Sequence, residues 1–490
     1  MFKSKFYILI LITTFSFLGC EDYLTELPDN RTNINSAEKI SALITGAYPD
    51  GNFMLIAALM SDNVREKFIN GGDRIDLEMY QWQDTNLENR DTPIAYWNSC
   101  YEAVAQANQA LASIEELSGP LNLDAQKGEA LLARAYAHFM LVKFWGKTYD
   151  PSTASLDLGV PYVIEPETVL VQNYTRNTVQ EVYDFIEKDL LEGLNLVENN
   201  YNEPKFHFTK DAANAFATNF FLHKGDWDNV ILYASKVISS PRTEIRDDLE
   251  YINLSYSETA RIYGSALERS NLLLASTSSL WARKFARSRF GLSPDLASEL
   301  FFGGNGNPFG KAWAYRVFGT DVVYNLPKFD EYFKITNQSA GTGLPFLGIV
   351  LFDKDEVLLN RAEAYAMKEN YTASLTDLTD FLSLKTRGFN PVTDVLDEAA
   401  ITATFPAVPN EYTPFYALNE TQTSFIKAVS ELKRREFYHE GQRWFDIKRF
   451  KLEVTHLFNN APIVLEKEDL RKELQIPLTA QNFGVTPNPR

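Results

Sequence analysis

Along most of the chain, apolar positions recur at the three-and-four spacing of helices with one buried face. Ser36 stands where an N-cap belongs, ahead of Ile40, Leu43, Ile44 and Ala47, and Pro49-Asp50-Gly51 stops that run. From Ile94 to Leu117 the set Val104, Ala107, Leu111 and Ile114 predicts a long helix closed by Gly119-Pro120. Another is predicted from Asp124, as N-cap, through Ala133, Ala137, Met140 and Phe144 to Gly146. Long helices joined by so short a turn pack antiparallel.

This helix-pair pattern returns twice. "NAFATNFFLHKGDWDNVILYASKVI" (214–238) and "LNRAEAYAMKENYTASLTDLTDFL" (359–382) align at Lys224-Gly225-Asp226-Trp227 and Lys368-Glu369-Asn370-Tyr371. In each, a helix with small alanines meets a turn, then an aromatic residue, then a second helix. That is the grammar of a tetratricopeptide unit, in which small residues let helices approach and the aromatic fills the wedge between them. The copies are scattered, so helix pairs of one right-handed stack are expected to be separated by insertions. Residues 241–350, with "FFGGNGNPFG" and "GTGLPFLGIV", lose the helical period and predict loops, short strands and short helices of a second lobe. Residues 385–420, with Pro391, Pro406, Pro409 and Pro414, are a further loop-rich excursion.

The predicted fold is therefore mainly α: a tetratricopeptide-like helical-repeat scaffold with a loop-rich insertion lobe containing short strands. Length alone allows about three domains. The divisions are a leader at 1–19, a tether at 20–35, an N-terminal helical-repeat region at 36–240, the lobe at 241–350, and a C-terminal helical repeat and tail at 351–490.

The leader has a basic start (Lys3, Lys5), an apolar core from Phe6 to Leu18 and a small residue at Gly19, the layout of a secretory signal. Its core is too short to cross a bilayer of about 30 Å as a helix. It ends in Gly19-Cys20, a small residue before a cysteine; of an ordinary peptidase site with an incidental cysteine and a lipoprotein processing site, the second is the expectation, because no other small-x-small site precedes the acidic segment. Phe17 occupies the place where such sites usually carry Leu. Cys20 then becomes the acylated mature N-terminus, and two or three chains at about 0.8 kcal/mol per buried CH2 hold it to a membrane. The chain has only 2 cysteines, so acylation leaves Cys100 alone and excludes an internal disulfide.

Charge removes one class of function. The formal net charge is −18, and loss of the leader takes two lysines more. Such a surface repels phosphate backbones, and no basic patch is interleaved with aromatics, so nucleic acid is excluded as a partner. Aromatic residues make up 13% of the chain, enough to ask whether some rings serve a ligand.

Catalytic and metal motifs fail on inspection. "GGNGNPFGKA" has Asn305 where a phosphate loop needs its first glycine, and Ala312 where Ser or Thr would bind magnesium. His138, His207, His223, His439 and His456 are far apart, and His439-Glu440-Gly441 departs from the zinc-helix pattern. A lone helical cysteine such as Cys100 is read as a small core hydrophobe. No enzyme activity, metal or cofactor is expected.

The strongest motif is "ELKRREFYHEGQRWFDIKRF" (431–450). Helical spacing pairs Glu431 with Arg435 and Asp446 with Arg449 or Arg443, beside a stripe of Leu432, Phe437, Trp444 and Ile447. Gly441 marks a close approach or a break between two short helices. These charges can form a carboxylate–arginine ligand site or an ion-pair lattice tying the segment to neighbouring repeats; the alternation of aromatic and charged positions favours the lattice.

The segment resembles the signature of the SusD/RagB lipoproteins, with Glu431, Arg434, Glu436, Phe437, Glu440, Gly441, Arg443, Trp444, Asp446 and Arg449 in its places. "CEDYLTELP" is similar to that family's lipidated start, "YWNSCYEAVAQANQAL" and "GEALLARAYAHFMLVKFWG" to two of its helices, "HKGDWDNVILYASKVI" to its Gly-Asp-Trp turn, and "LQIPLTAQNFGVTPNP" to its tail. The acidic pair after Cys20 resembles a surface-export signal. The resemblance implies a lipid-anchored protein on the outer face of the outer membrane, docked as a lid on a SusC-like TonB-dependent transporter.

Its cargo would be an oligosaccharide or, as in RagB-like members, an oligopeptide; a helical-repeat scaffold without cargo is the reading from another class. The resemblance places ligand residues in loops near the Trp-Asn helix and in the lobe: Asp62 and Asn63, then Tyr80, Trp82, Asp84 and Asn86, then Trp281, Arg283, Trp313 and Tyr315.

Overall fold

A computed structural model describes residues 34–490 except 68–70, 118, 120, 170–171 and 321. The leader, Cys20 and almost all of the tether lie outside the described residues. The first helix, α1 (Ala37–Ile44), is capped by Ser36, whose side chain accepts from the Lys39 amide. It ends at Thr45, before Ala47 is reached, and α2 (Met54–Met60) follows, buried along its whole length. After α3 (Arg74–Tyr80) come the two long helices, α4 (Pro93–Leu117) and α5 (Asp124–Trp145). Asp124 is the first helical residue of α5 and not its cap; the Asn122 side chain accepts from its amide at 3.1 Å.

From Gly128 to Trp145 every residue of α5 is buried, which makes it the central helix of the N-terminal half. The next helix, α6 (Val179–Leu196), starts in a capping box of Thr178 and Glu181. A bidentate pair, Arg134 to Asp189 at 2.7 and 2.9 Å, joins α5 to α6 inside the protein.

Both predicted repeats are helix pairs: α7 (Lys210–Lys224) with α8 (Trp227–Val237), and, later in the chain, Lys354–Met367 with Tyr371–Lys385. The turns are equivalent. Gly225 (φ 71°) and Glu369 (φ 58°) adopt the left-handed conformation, and Asp226 and Asn370 then cap the second helix by accepting from Asn229 and Ala373. The aromatics after the caps pack on later segments, Trp227 edge-on to Tyr416 at 5.0 Å and Tyr371 against Phe425 of the helix over 420–436 at 4.9 Å.

Between the two pairs the chain runs through the short helices α9 (Pro241–Glu244), α10 (Asp248–Tyr251), α11 (Tyr256–Tyr263), α12 (Trp281–Arg287) and α13 (Pro294–Leu300). It also makes strands β1 (Asn271–Ser278), β2 (Glu331–Asn337) and β3 (Thr342–Asp353), which form an antiparallel sheet in the order β1-β3-β2. β3 runs past residue 350 to Asp353, whose side chain caps the next helix, α14 (Lys354–Met367). Beyond α15 (Tyr371–Lys385), the proline-rich excursion holds α16 (Glu398–Thr404).

The signature closes the molecule. It spans α17 (Glu420–Glu436) and α18 (Gln442–Arg449), with Gly441 (φ 80°) as the break. A Cβ on Gly441 would lie 2.9 Å from that of Ala57 and 3.3 Å from the Met54 Cα, so the same glycine is also a close approach, here to α2. The C-terminal tail is pinned where Asn488 donates to the Trp145 and Leu474 carbonyls, both at 2.8 Å. One continuous hydrophobic core runs from Ile40 to Val485.

Candidate functional site

The charges of the signature are buried and paired, as a lattice requires. Arg443 makes two 2.8 Å bonds to the Asp62 carboxylate, Arg434 donates to the Asn63 side chain at 2.9 Å, and Asp446 pairs with Arg449 at 2.8 Å. Glu431 meets Arg435 at 3.2 Å. Glu436 joins Arg246 at 2.7 Å and Lys385 at 3.1 Å, while Glu440 pairs with Lys328. Burial works to raise the Asp62 pKa, but the Arg434 and Arg443 guanidiniums outweigh it and hold the carboxyl far below its usual range. The Cys100 thiol is wholly buried, and burial pushes its pKa up, so it stays a protonated core group.

Several residues expected at a ligand form the socket of this signature. Asp62 and Asn63 bond Arg443 and Arg434, and the Asn63 carbonyl also accepts from Tyr438. The Trp281 indole donates to the His439 carbonyl at 2.9 Å, and the Trp313 ring lies 5.4 Å from the Arg435 guanidinium, beside Tyr315. Tyr80 is stacked between Phe290 and His456, with Trp82 on the outer side of that histidine. These five rings are buried, so as folded they offer no stacking face to a ligand. Asp84, Asn86 and Arg283 are exposed; Asp84 pairs with Arg490 and Arg283 with Glu331.

A concave surface suited to a ligand lies between the helical body and the sheet, a cleft of about 600 Å³. Its helical wall carries Asp50, Ser99, Glu102 and Gln106, and its other wall Ser276, Lys334 and Phe346 from β1, β2 and β3. Strand register explains the second wall: Tyr332 pairs with Phe346 and Ser276 with Gly348, which puts Ser276, Tyr332, Lys334 and Phe346 on one face. The walls are joined at the base, where the Ser278 amide donates to the Asp50 carbonyl at 2.7 Å and Asn52 to Thr277 at 3.0 Å.

Within the cleft the Lys334 ammonium lies 4.7 Å from the centre of the Phe346 ring. Ser99 donates to the Asp50 carboxylate at 3.1 Å. Burial and the Asp50 charge raise the Glu102 carboxyl above its ordinary value. His207, at one end, shares a 2.7 Å bond with Glu129 and stacks on Tyr201. Phe206 and Tyr332 are large rings with 42% and 45% of their surface open, unlike the buried rings of the socket. No motif announced these residues, since the walls come from six separate stretches of chain; the alternation Tyr332, Lys334 along β2 was the one usable signal.

Among the described residues, no group of three or more His, Cys, Asp or Glu side chains is placed to hold a metal ion. No helix among them is long and apolar enough to cross a membrane.

Two family models match the chain. Residues 22–222 match the SusD-like family described as starch-binding and associating with the outer membrane, and residues 355–476 match the SusD family. No curated protein matches. Among solved structures, a SusD superfamily protein from Bacteroides thetaiotaomicron is 20% identical, with 93% of this chain and 100% of that one covered at a TM-score of 0.67. A SusD superfamily protein from Bacteroides fragilis is 18% identical, covering 91% and 98% at a TM-score of 0.64. A SusD-like carbohydrate binding protein from Bacteroides vulgatus is 16% identical, covering 88% and 89% at a TM-score of 0.57. These likenesses are of fold, and they cover 88–93% of the chain.

Proposed function

The chain belongs to the SusD/RagB family, and from that premise we propose that it captures oligosaccharides at the cell surface and delivers them, as a lid, to a SusC-like TonB-dependent transporter. Acylated Cys20 is its anchor in outer-membrane lipid, and the tether after it is the hinge on which the lid turns. The role contains no catalytic step; binding and release do all the work.

The observation that carries this reading is the cleft between the helical body and the sheet. Its volume falls in the usual range for ligand sites, about 300–1,000 Å³. Sugars need flat apolar surfaces under their C–H faces and donors and acceptors around their hydroxyls. Phe206 lines the cleft with an open ring, Tyr332 adds another on the same sheet face beside it, and Asp50, Glu102, Gln106, Ser276 and Lys334 supply the polar groups. Arg283, paired with Glu331 at the start of β2, and the exposed Asp84 and Asn86 lie outside the cleft lining and stay in the proposed contact set as surface groups. The relative from Bacteroides vulgatus described as carbohydrate binding supports sugar over other cargo.

Isothermal titration of the folded protein with a glycan panel and a mixed-peptide digest tests the reading. Saturable heat is expected from oligosaccharides, and Phe206→Ala or Tyr332→Ala should each weaken binding about tenfold, near 1.4 kcal/mol. Heat from peptides alone would replace sugar by peptide as the cargo. A deletion strain that grows normally on every nutrient, yet loses the assembled transporter complex, would make the protein a scaffold.

A further inference from the structure

A second concave site lies on the other side of Glu102, whose side chain borders both. This groove of about 430 Å³ is walled by α4, by Val163, Glu165, Glu167, Gln172 and Tyr174, and by the C-terminal segment 479–485. Its walls are fixed to one another. The Tyr174 amide donates to the Phe483 carbonyl at 2.9 Å, Asn108 donates to the Val163 carbonyl at 3.0 Å, and the Tyr101 hydroxyl donates to the Pro161 carbonyl at 2.9 Å. The floor is aromatic, from Trp97, Tyr101, Tyr174 and Phe483.

The charge in this groove has one sign. Glu102, Glu165 and Glu167 line it, and among the described residues no Lys, Arg or His does. Tyr174 donates to Glu167, and among the described residues no ion pair engages Glu102 or Glu165. Two nearby cations are already engaged: Arg134 by Asp189, Asn108 and the Ile164 carbonyl, and Arg176 by the Gly159, Leu158, Trp145 and Thr486 carbonyls and by Asn488. Around the groove stand large apolar residues open to solvent: Ile164 at 51%, Val169 at 54%, Leu478 at 53% and Phe483 at 44%. An aromatic floor with an apolar collar is the composition of a protein-binding surface, and unpaired carboxylates over π faces select a cation.

We propose that this groove docks an extended segment of a partner protein that inserts an Arg or Lys side chain beside a large apolar one. The aromatic floor takes the apolar side chain and the methylene stem, and Glu165 and Glu167 take the charge. The site is separate from the sugar cleft and stands or falls without it.

The test uses the intact folded chain and an acetylated Phe-Arg amide as the anchor probe, read by titration calorimetry. Saturable binding is expected, weakened about tenfold when citrulline replaces the arginine, when Glu165→Gln and Glu167→Gln are combined, or when salt rises from about 50 to 500 mM. Tyr174→Ala should weaken it as well, while Phe206→Ala in the sugar cleft should not. A thermal melt of the double Gln variant matching the parent establishes that the loss is local. Equal affinity for the citrulline peptide, or no saturable binding, would overturn the proposal. Spermidine binding as tightly as the dipeptide would overturn the assignment to a protein segment.

Discussion

Glu436 illustrates how much of this protein rests on individual charges. Its carboxylate has 1% side-chain exposure and meets both Arg246 and Lys385, themselves wholly buried. Burial acts to raise its pKa, yet the two cations outweigh that and hold it well below the ordinary 4.5. Because the folded value is depressed, the ionised group contributes stability that is present above about pH 4.5 and lost as pH falls below it. Glu436→Gln should cost about 3–5 kcal/mol at pH 7, since it leaves two buried cations short of a partner. Urea unfolding of parent and variant should converge as pH drops from 5 to 3; a gap independent of pH would contradict the assignment. The residue scale is also where a sequence is least legible. A buried tryptophan that lies against an arginine and an open ring are not told apart by local pattern; only position separates Trp313 from Phe206.

Among the elements, the two repeat turns and the signature break carry the testable content. Asp226→Ala and Asn370→Ala each remove the side-chain acceptor of a helix start and should cost about 1 kcal/mol apiece. Gly441→Ala should cost more, about 2–4 kcal/mol, because it combines a left-handed backbone with a methyl pressed on the α2 backbone at Met54. At Gly225 the φ is similar, but the obstructing atom is the tip of the Phe415 ring, which can swing; Gly225→Ala should be the milder change. Chemical denaturation midpoints of the four variants give the ranking. Helix pairs were legible in the sequence because capping residues, alanines and helical periodicity are local. The sheet was less so: β3, at 12 residues, is longer than its glycine-rich sequence suggested, and it is held by pairing on both sides with β1 and β2.

For the whole molecule, the proposal is an anchored body that binds and passes on its cargo. Cys20→Ala should release the protein from the membrane fraction while its glycan affinity stays within about twofold of the parent, because the anchor contributes nothing to the cleft. Mass spectrometry of the native protein should find acyl chains on Cys20, and fractionation of the variant reads the release. Retention of the variant in the membrane fraction, without partner protein, would count against lipid anchoring.

Family, fold class and the helix pairs were determined by sequence alone, because each rests on short-range patterns: caps, periodicity, and a run of twenty residues whose charges recur at helical spacing. What only the tertiary structure decided was which charges and rings are spent inside. Asp62, Trp281 and Trp313 approach the signature from segments more than a hundred residues away, and the cleft takes its walls from the first helices and from β1 to β3. Long-range packing chooses between a buried partner and an open surface, and no local pattern encodes that choice.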